Sequence, residues 1–250
     1  MHSTTDQHAA SGRYGDEHAE LYDLMYGSLP DWKQLPALCR RVRPAARTVL
    51  EFGIGNGRLA LPLAEEGFEV TGLEASGVLA GQLAARARDL PVDVVVGDFR
   101  ERLTQDRFDL CLLMTNTLFM TEGVADQRRV LRRAAEALAP DGMLIVETYD
   151  PQVYLEKPAV SNFSMPLGDD ALLTDTVIVD RLNCSVHIHH TVVRRGEVTV
   201  LRERSSWLTP RELDLVCEEV GLKRTLRFAD LAGSPITDST RNVVSCYERR

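Results

Sequence analysis

Hydrophobic positions follow two different spacings between residues 48 and 150. Short apolar runs, such as Val49–Phe52 and Phe108–Met114, have the length of strands buried in a sheet. Segments such as Ala125–Leu138 instead carry apolar residues three and four positions apart, which predicts amphipathic helices. Strands that alternate with helices form right-handed βαβ units and a parallel sheet. The pattern therefore predicts a doubly wound α/β core over residues 47–150.

Within this core the elements follow one another closely. Strands are predicted at residues 49–52, 69–74, 92–96, 108–114 and 143–147, and helices at residues 58–66, 78–90 and 125–138. Ser76 is placed to be the N-cap of the second helix. Val92–Val96 has the apolar character of a strand that is covered on both faces.

The alternation of strands and helices stops after Asp150. Three β segments, Leu172–Asp180, Cys184–Val193 and Val198–Trp207, follow one another across short turns. Strands without intervening helices pair in an antiparallel manner. We therefore expect an antiparallel β insertion at residues 151–208, after the fifth strand of the core.

A helix and two strands complete the chain in a C-terminal unit at residues 209–250. Thr209, Pro210 and Glu212 form a helix start with an N-cap, a first-turn proline and a capping-box glutamate, and Gly221 is the expected stop. The two strands, at residues 224–228 and 242–247, bring the sheet to seven strands. Residues 1–46 show a broadly helical pattern interrupted by glycine and proline, and we interpret them as an N-terminal helical lid.

Composition narrows the possible partners. The chain has 250 residues and a formal net charge of −8, which argues against nucleic acid and anionic membrane surfaces because both need a basic field. It contains no apolar run of membrane-spanning length and no hydrophobic signal-peptide region, so we expect a cytoplasmic location. The five cysteines are widely spaced without a C-x-x-C pair, which favours buried thiols over a metal site.

The segment from Glu51 to Gly57 is the most informative stretch for chemistry. It reads acidic-x-G-x-G-x-G, follows the first predicted strand and leads directly into a helix. Glycine lets the backbone approach a ligand closely, and the helix N-terminus adds partial positive charge. A dinucleotide site needs G-x-G-x-x-G, but here the third glycine is Gly57 and the required position holds Arg58. The spacing thus predicts a nucleoside cofactor and disfavours a nicotinamide one.

Other polar residues follow the next strands at the same rim of the sheet, where open α/β folds bind ligands. Glu74 ends the second strand, at an offset from the glycines that suits a carboxylate bound to a ribose diol. Asp98 ends the third strand, where it can accept from an adenine amine while Phe99 stacks on the ring. The segment Met114–Asn116 ends the fourth strand at this rim.

The glycine spacing together with Glu74 and Asp98 resembles the first motifs of class I S-adenosylmethionine-dependent methyltransferases. The stretch Arg13–Met25 is similar to the opening of small-molecule N-methyltransferases from antibiotic pathways, above all the amino-sugar N,N-dimethyltransferases. The resemblance covers most of the chain. It implies a Rossmann-like core with an antiparallel strand at one edge, S-adenosylmethionine as cofactor, and a small-molecule acceptor in secondary metabolism.

Site residues are carried over from that resemblance by position. Tyr14 would lie over the reactive centre and contact the acceptor, and Tyr22 and Trp32 would flank the methionyl end of the cofactor. The other implied cofactor residues are Glu51, Gly53, Gly55, Asn56, Arg58, Glu74, Ala75, Asp98, Phe99, Met114 and Thr115. The implied acceptor residues are Tyr14, Asn116, Phe119 and Tyr149.

One departure from the sugar enzymes concerns the acceptor. Those enzymes carry a histidine shortly after the fourth strand, where this chain has Phe119. A hydrogen-bonding group is lost there, which weakens the case for a sugar and favours a more apolar acceptor.

Three histidines in the insertion leave the chemistry open. On a strand, His187 and His189 share one face, while Val186, Ile188 and His190 lie on the other. If the first face turns toward the acceptor, His187 or His189 would serve as a base for methylation of a hydroxyl. They would otherwise face solvent or form hydrogen bonds. A metal site has no carboxylate or cysteine at a suitable spacing, so we expect no metal.

The sequence therefore predicts a methyltransferase that acts on an amine of a small molecule, since a neutral amine needs no dedicated base. Three alternatives stay open at this point: an O-methyltransferase with a histidine base, a nicotinamide-dependent oxidoreductase, and a regulator that binds the cofactor without catalysis. Exposed strands of the insertion would also allow a homodimer.

Overall fold

The structure is a computed structural model that describes Gly15, Asp16, Ala19, residues 30–101 and residues 106–250. Its α-helices are α1 (Leu35–Val42), α2 (Ala60–Glu65), α3 (Gly77–Arg86), α4 (Val124–Ala137), α5 (Gln152–Leu155) and α6 (Pro210–Glu219). Short 3-10 helices lie at Pro30–Gln34 and Thr117–Met120. The strands of the core are β1 (Thr48–Phe52), β2 (Glu69–Glu74), β3 (Val92–Val96), β4 (Phe108–Leu113), β5 (Leu138–Tyr149), β10 (Leu222–Phe228) and β11 (Asn242–Arg249). Between β5 and α6 lie β6 (Val160–Leu167), β7 (Ala171–Asp180), β8 (Ser185–Arg194) and β9 (Glu197–Ser206).

The core strands form one seven-stranded sheet in the order β10-β11-β5-β4-β1-β2-β3. Five of these strands run parallel, with β1 at Val49 paired to Val70 of β2 on one side and to Leu110 of β4 on the other. β11 alone runs the other way, because it pairs antiparallel with β5 on one side and with β10 on the other, so β10 has the direction of the five parallel strands. The predicted doubly wound, Rossmann-like sheet with an antiparallel edge is confirmed.

Helices cover the sheet on both faces and enclose two apolar clusters. One cluster joins α4 and α6 to the sheet and to the insertion, through residues such as Val130, Leu213 and Val186. The other joins α1 and α2 to the opposite face, through residues such as Leu38 and Leu63. The parallel strands in the middle of the sheet are therefore buried on both sides, as βαβ connections require.

The expectation for Val92–Val96 is wrong in one respect. These residues do form a strand, but β3 is the outermost strand of the sheet and its residues are only partly buried, with Val96 49% exposed. An apolar run of this length fits an edge strand that a helix covers on one face as well as a central one. The order of strands in a sheet is not encoded in the local pattern.

The insertion is a second sheet of four antiparallel strands in the order β6-β7-β8-β9. Three of them coincide with the predicted β segments, but β6 and the short helix α5 were not predicted. β6 is an edge strand, is mostly exposed and contains Pro166. Proline and exposed polar residues are tolerated at sheet edges and weaken the sequence pattern of a strand.

The capping signals in the sequence are confirmed. Ser76 Oγ accepts a hydrogen bond from Leu79 N at the start of α3. At α6, Thr209 N donates to Glu212 Oε2 at 2.7 Å and Glu212 N donates to Thr209 Oγ1 at 3.2 Å, which completes the capping box. The five cysteines are free thiols, and only Cys184 is exposed. No helix in the described part of the chain is both long and apolar enough to cross a membrane.

Candidate active site

A cavity of about 460 Å³ opens at the carboxyl ends of β1, β2 and β4 and extends to β9 of the insertion. Its walls therefore come from two sheets. The core sheet contributes the glycine loop and the strand ends, and the insertion contributes Glu203 between Arg202 and Arg204. Gly15 of the N-terminal segment also lines the cavity. This is the rim of the sheet at which the sequence placed a ligand.

The glycine loop is a backbone turn that side chains would obstruct. Gly53, Gly55 and Gly57 all have positive φ, at 72°, 58° and 86°. At Gly53 a Cβ atom would lie 3.0 Å from Thr117 Cγ2, on the side where the loop faces the cavity. These positions need glycine both for the left-handed backbone and for the space that the turn leaves open.

Glu74 holds the loop in place from the end of β2. Its Oε2 accepts from Gly55 N and its Oε1 accepts from Ser76 N, both at 2.8 Å. Burial raises the pKa of this carboxyl, while the two backbone hydrogen bonds act in the opposite direction. Each oxygen accepts one of these N–H groups and keeps a second lone pair. The carboxylate therefore retains acceptor capacity toward the cavity that it lines.

Glu51 and Arg58 place an acidic and a basic side chain at the two ends of the loop. Burial, together with the nearby Glu74 carboxylate, raises the pKa of Glu51 to about 8 against the lowering effect of Arg58. Glu51 Oε2 and Arg58 Nε are buried without a hydrogen-bond partner among the described residues. Buried polar atoms are almost always paired in proteins, so an unpaired acceptor and an unpaired donor on the wall of one cavity indicate a ligand that offers both a hydrogen-bond donor and an acceptor.

The turn after β4 is strained and tightly held. Thr115 and Asn116 have positive φ, at 51° and 62°, although neither is glycine. Thr115 N donates to the carboxylate of Glu147 at 2.9 Å, and Asn116 Oδ1 accepts from Tyr149 N at 2.7 Å. Thr115 Oγ1 also accepts from Arg58 Nη2 at 2.9 Å, which ties the turn to the glycine loop. Such backbone strain persists where the surroundings over-determine it, as they do here beside the cavity.

Asp98 takes part in a buried ion pair. Its carboxylate accepts from Arg100 Nε at 3.0 and 2.9 Å, and Arg100 also lies 3.6 Å from Asp126. Among the described residues that line the cavity, Phe99 and Arg100 are present and Asp98 is not. In this arrangement the carboxylate fixes Arg100, so its predicted contact with adenine stays a prediction.

An aromatic wall separates the two sheets. Phe119 and Tyr149 meet edge to face at 5.0 Å, Tyr149 and Tyr154 meet at 5.1 Å, and Tyr154 stacks on Trp207 at 6.4 Å. Tyr149 and Tyr154 line the cavity, but Phe119 is fully buried behind Tyr149. Our expectation of acceptor contact by Phe119 is therefore corrected, because its ring packs in the core and supports Tyr149.

The histidines of β8 are oriented opposite to the hypothesis of a base. Val186, Ile188 and His190 form the buried face, whereas His187 and His189 lie on the outer face and do not line the cavity. Register places His187 and His189 beside the exposed Arg204 and Arg202 of β9. The inward histidine is thus His190, because strand alternation puts it in phase with the apolar residues.

His190 lies between two carboxylates. Its Nδ1 is 2.7 Å from Asp175 Oδ1 and its Nε2 is 3.4 Å from Glu203 Oε2. Burial by itself would lower the pKa of His190, but the two carboxylates outweigh it and raise this pKa to about 9. Among the described residues there is no group of three or more histidines, cysteines or carboxylates arranged to hold a metal ion.

The cavity brings together most of the residues that the sequence singled out. The described lining includes Glu51, Gly53, Gly55, Arg58, Glu74, Ala75, Phe99, Met114, Thr115, Asn116 and Tyr149. It does not include Trp32, Asn56, Asp98, Phe119, His187 or His189. Tyr14 and Tyr22 lie outside the described residues. Asp16, two positions after Tyr14 in the sequence, accepts from Ser76 Oγ through its Oδ1 at 2.5 Å and so contacts the start of α3.

The residues that sequence reasoning missed lie mainly on the insertion. Asp175, His190 and Glu203 each occupy an inward position of their strand, among residues such as Val177 and Ile188. On each of three neighbouring strands, one titratable residue alternates in phase with the apolar residues. This pattern can be recognised in the sequence. On β8 the apolar residues Val186 and Ile188, in phase with His190, identify the buried face.

Comparisons with known proteins agree with this geometry. A family profile described as a methyltransferase domain matches residues 49–142. The cypemycin N-terminal methyltransferase of a Streptomyces species is 29% identical over 95% of this chain and 98% of its own length. A dTDP-4-amino-2,3,4,6-tetradeoxy-D-glucose N,N-dimethyltransferase of Saccharopolyspora spinosa is 28% identical over 89% of this chain and 81% of that protein.

A solved structure supports the same relationship. The CcbJ methyltransferase from Streptomyces caelestis superposes with a TM-score of 0.86 and is 30% identical. The match covers 94% of this chain and 97% of that one, so it includes the insertion as well as the core sheet.

Proposed function

The chain belongs to the class I S-adenosylmethionine-dependent methyltransferases, and on that basis we propose that it methylates an amine nitrogen of a small-molecule acceptor. The family assignment removes two alternatives, the nicotinamide-dependent oxidoreductase and the regulator without catalysis. Two relatives carry N-methylation in their names, one at a peptide-type N-terminus and one on an amino sugar, which supports nitrogen as the methylated atom.

The residues of the loop suit the cofactor. S-adenosylmethionine supplies, when bound, an electrophilic methyl group on a cationic sulfur. Glu51 and Arg58 offer the unpaired acceptor and donor that an α-ammonium and an α-carboxylate need. Glu74 keeps lone pairs for two vicinal hydroxyls, and Phe99 lines the cavity beside Gly53. In this proposal the protein aligns its two ligands and excludes water, which is the main task in an in-line displacement.

The observation that carries the choice of nitrogen is the position of the histidines. Methylation of a hydroxyl usually needs a base, whereas an amine only has to arrive neutral. His187 and His189 lie on the outer face of the insertion, and among the described residues that line the cavity there is no histidine. Burial raises the pKa of Tyr149, and it raises that of Tyr154 to about 12, so both phenols stay protonated near neutral pH.

A direct test offers the full-length enzyme and isotopically labelled S-adenosylmethionine to matched amine and hydroxyl acceptors. The panel pairs short peptides with free or acetylated N-termini and amino sugars with their hydroxyl analogues. We expect label on the free amines only, located by mass spectrometric fragmentation. The variants His187→Gln and His189→Gln should keep this activity within about twofold, because neither side chain lines the cavity.

The opposite pattern would overturn the proposal. Label on hydroxyl acceptors alone, or loss of transfer in either histidine variant, would indicate O-methylation with a histidine base. A homodimer and a cytoplasmic location stay predictions; the first is measured by the mass of the protein in solution.

A further inference from the structure

Three side chains on the inward face of the insertion form a continuous chain from the core of the sheet to the cavity. Asp175 of β7, His190 of β8 and Glu203 of β9 are contributed by three neighbouring strands. Both ring nitrogens of His190 face a carboxylate oxygen, at 2.7 Å for Asp175 and 3.4 Å for Glu203. We call these residues the Asp175–His190–Glu203 cluster.

The cluster carries a net negative charge. A histidine that donates from both nitrogens is an imidazolium, and its two partners are carboxylates. One cation between two anions leaves the cluster with an excess of one negative charge, on a wall that Arg202 and Arg204 also line. Burial shields that charge from solvent, since Asp175 and His190 are only 7% and 5% exposed.

Glu203 is the member of the cluster that reaches the cavity. Its side chain is 16% exposed and lines the cavity, whereas His190 and Asp175 lie behind it. Tyr149 and Tyr154 line the cavity on the same side, with Tyr149 Oη 2.6 Å from Ser205 Oγ on the strand that carries Glu203. A carboxylate beside aromatic rings is a combination that attracts organic cations, through a charged hydrogen bond and through the ring faces.

We propose that Glu203 binds the amino group of the acceptor, and that His190 and Asp175 are positioning residues that hold its carboxylate. The assignment rests on the proposed function and adds the acceptor class, an amine with at least one N–H. A protonated amine pairs with Glu203 and then loses one proton to water, so that it is neutral when the methyl group is transferred. A neutral primary or secondary amine keeps an N–H for the same carboxylate while its lone pair stays available, and the methylated product is again a cation.

The test measures binding and needs no turnover. The two probes are phenethylamine and 2-phenylethanol. They share one carbon skeleton, and the first carries an ammonium group where the second carries a hydroxyl group. Calorimetry on the full-length enzyme with saturating S-adenosylhomocysteine at pH 7 should give at least about tenfold tighter binding of the amine. In Glu203→Gln this preference should fall to within about twofold. The control Glu197→Gln, on an exposed position of the same strand, should keep it.

The positioning role has its own readout. In Asp175→Asn, the pKa of His190 followed by NMR should fall from about 9 toward its ordinary value of 6.5, and the amine preference should shrink by about threefold. Removal of an acidic residue that only stabilises the sheet would leave the pKa of His190 unchanged.

Two results would overturn the assignment: equal binding of the two probes by the wild type, or a preference that survives in Glu203→Gln. The first comparison does not depend on any variant folding. If amines bind preferentially but the acceptor panel shows label on hydroxyls, N-methylation is wrong while the cation site at Glu203 stands.

Discussion

The two walls of the cavity are built in different ways. The cofactor wall consists of the glycine loop and the ends of parallel strands, and its residues occur in short motifs such as Glu51–Arg58. The acceptor wall consists of single inward residues, including Glu203, on antiparallel strands far apart in sequence. The first wall depends on backbone shape and strand ends, and the second on which face of a sheet is buried.

This difference has a functional consequence. A substitution in the loop alters the backbone that meets the cofactor, so it is expected to affect every acceptor equally. A substitution at an inward position of β7, β8 or β9 changes one side chain of the acceptor wall and leaves the glycine turn intact. Acceptor choice can therefore change by single residues while the cofactor wall stays the same, which is consistent with relatives named for different acceptors.

The largest effect is expected at Arg100, a buried residue that lines the cavity. Arg100→Ala removes the cation between Asp98 and Asp126, and breaking a buried ion pair of this kind costs about 3–5 kcal/mol. Urea denaturation should show this loss. The control Arg129→Ala removes a half-exposed partner of the same Asp126, at 3.3 Å, and should cost below about 1 kcal/mol. Similar losses of stability in the two variants would show that the buried ion pair of Arg100 does not stabilise the protein more than an exposed one.

The next effect concerns cofactor affinity. Glu74→Ala removes the carboxylate that accepts from Gly55 N and Ser76 N and leaves both buried N–H groups unpaired. We expect S-adenosylmethionine to bind about a hundredfold more weakly by calorimetry, or about 3 kcal/mol. Glu69→Ala, at the exposed start of the same strand, is the control and should bind normally. An unchanged affinity in Glu74→Ala would remove Glu74 from the site.

The same contrast explains how much the sequence could predict. The loop, Glu74 and the strand ends were readable because parallel strands place their carboxyl ends at one rim whatever their order. The orientation of β8 was not readable from its histidines alone, because alternation defines two faces without saying which is buried. The apolar residues in phase with His190, namely Val186 and Ile188, contained that information.

Other differences arose from relations that local pattern does not encode. β3 was expected to be covered on both faces, but strand order, which depends on connections across the whole sheet, places it at the edge. The turn after β3 brings Arg100 onto the carboxylate of Asp98, a contact that the sequence pattern did not predict, and the contact of Asp98 with adenine stays a prediction. Phe119 was assigned to the acceptor, but the 3-10 turn that contains it directs the ring into the core. In each case a tertiary contact decided the outcome.

A pH-dependent effect is expected in the acceptor wall. Because the folded pKa of His190 is raised to about 9, its contribution to stability is complete below pH 6.5 and is lost as pH rises through 9. The rise in this pKa from 6.5 to about 9 corresponds to about 3 kcal/mol. Among the described contacts of His190 are Asp175 and Glu203, and Tyr154, whose pKa these two carboxylates also raise, is neutral throughout this range. The stability advantage of wild type over His190→Gln should therefore shrink between pH 6.5 and 9.5.

His187 provides a control of opposite sign on the same strand. Burial and the neighbouring Arg204 lower the pKa of His187, so wild type should lose stability relative to His187→Gln as pH falls below 6.5. Thermal unfolding across this pH range measures both variants. Parallel curves for wild type and His190→Gln between pH 6.5 and 9.5 would show that the cluster does not hold a charged histidine.

The smallest effect tests the hydrogen bond that joins the two sheets at the cavity. Tyr149 Oη of β5 lies 2.6 Å from Ser205 Oγ of β9, and a net contribution of about 1 kcal/mol is expected from such a bond. A double-mutant cycle with Tyr149→Phe and Ser205→Ala measures that coupling by denaturation. The control cycle uses Ser164→Ala and Thr174→Val, an exposed hydroxyl pair at 2.9 Å within the insertion, and should give below about 0.5 kcal/mol.

Because burial raises the pKa of Tyr149, the phenol stays protonated and the coupling should not change between pH 6 and 9. A coupling no larger than the control would mean that the two walls are joined by packing alone, in which case the acceptor wall can shift relative to the cofactor wall without breaking a hydrogen bond.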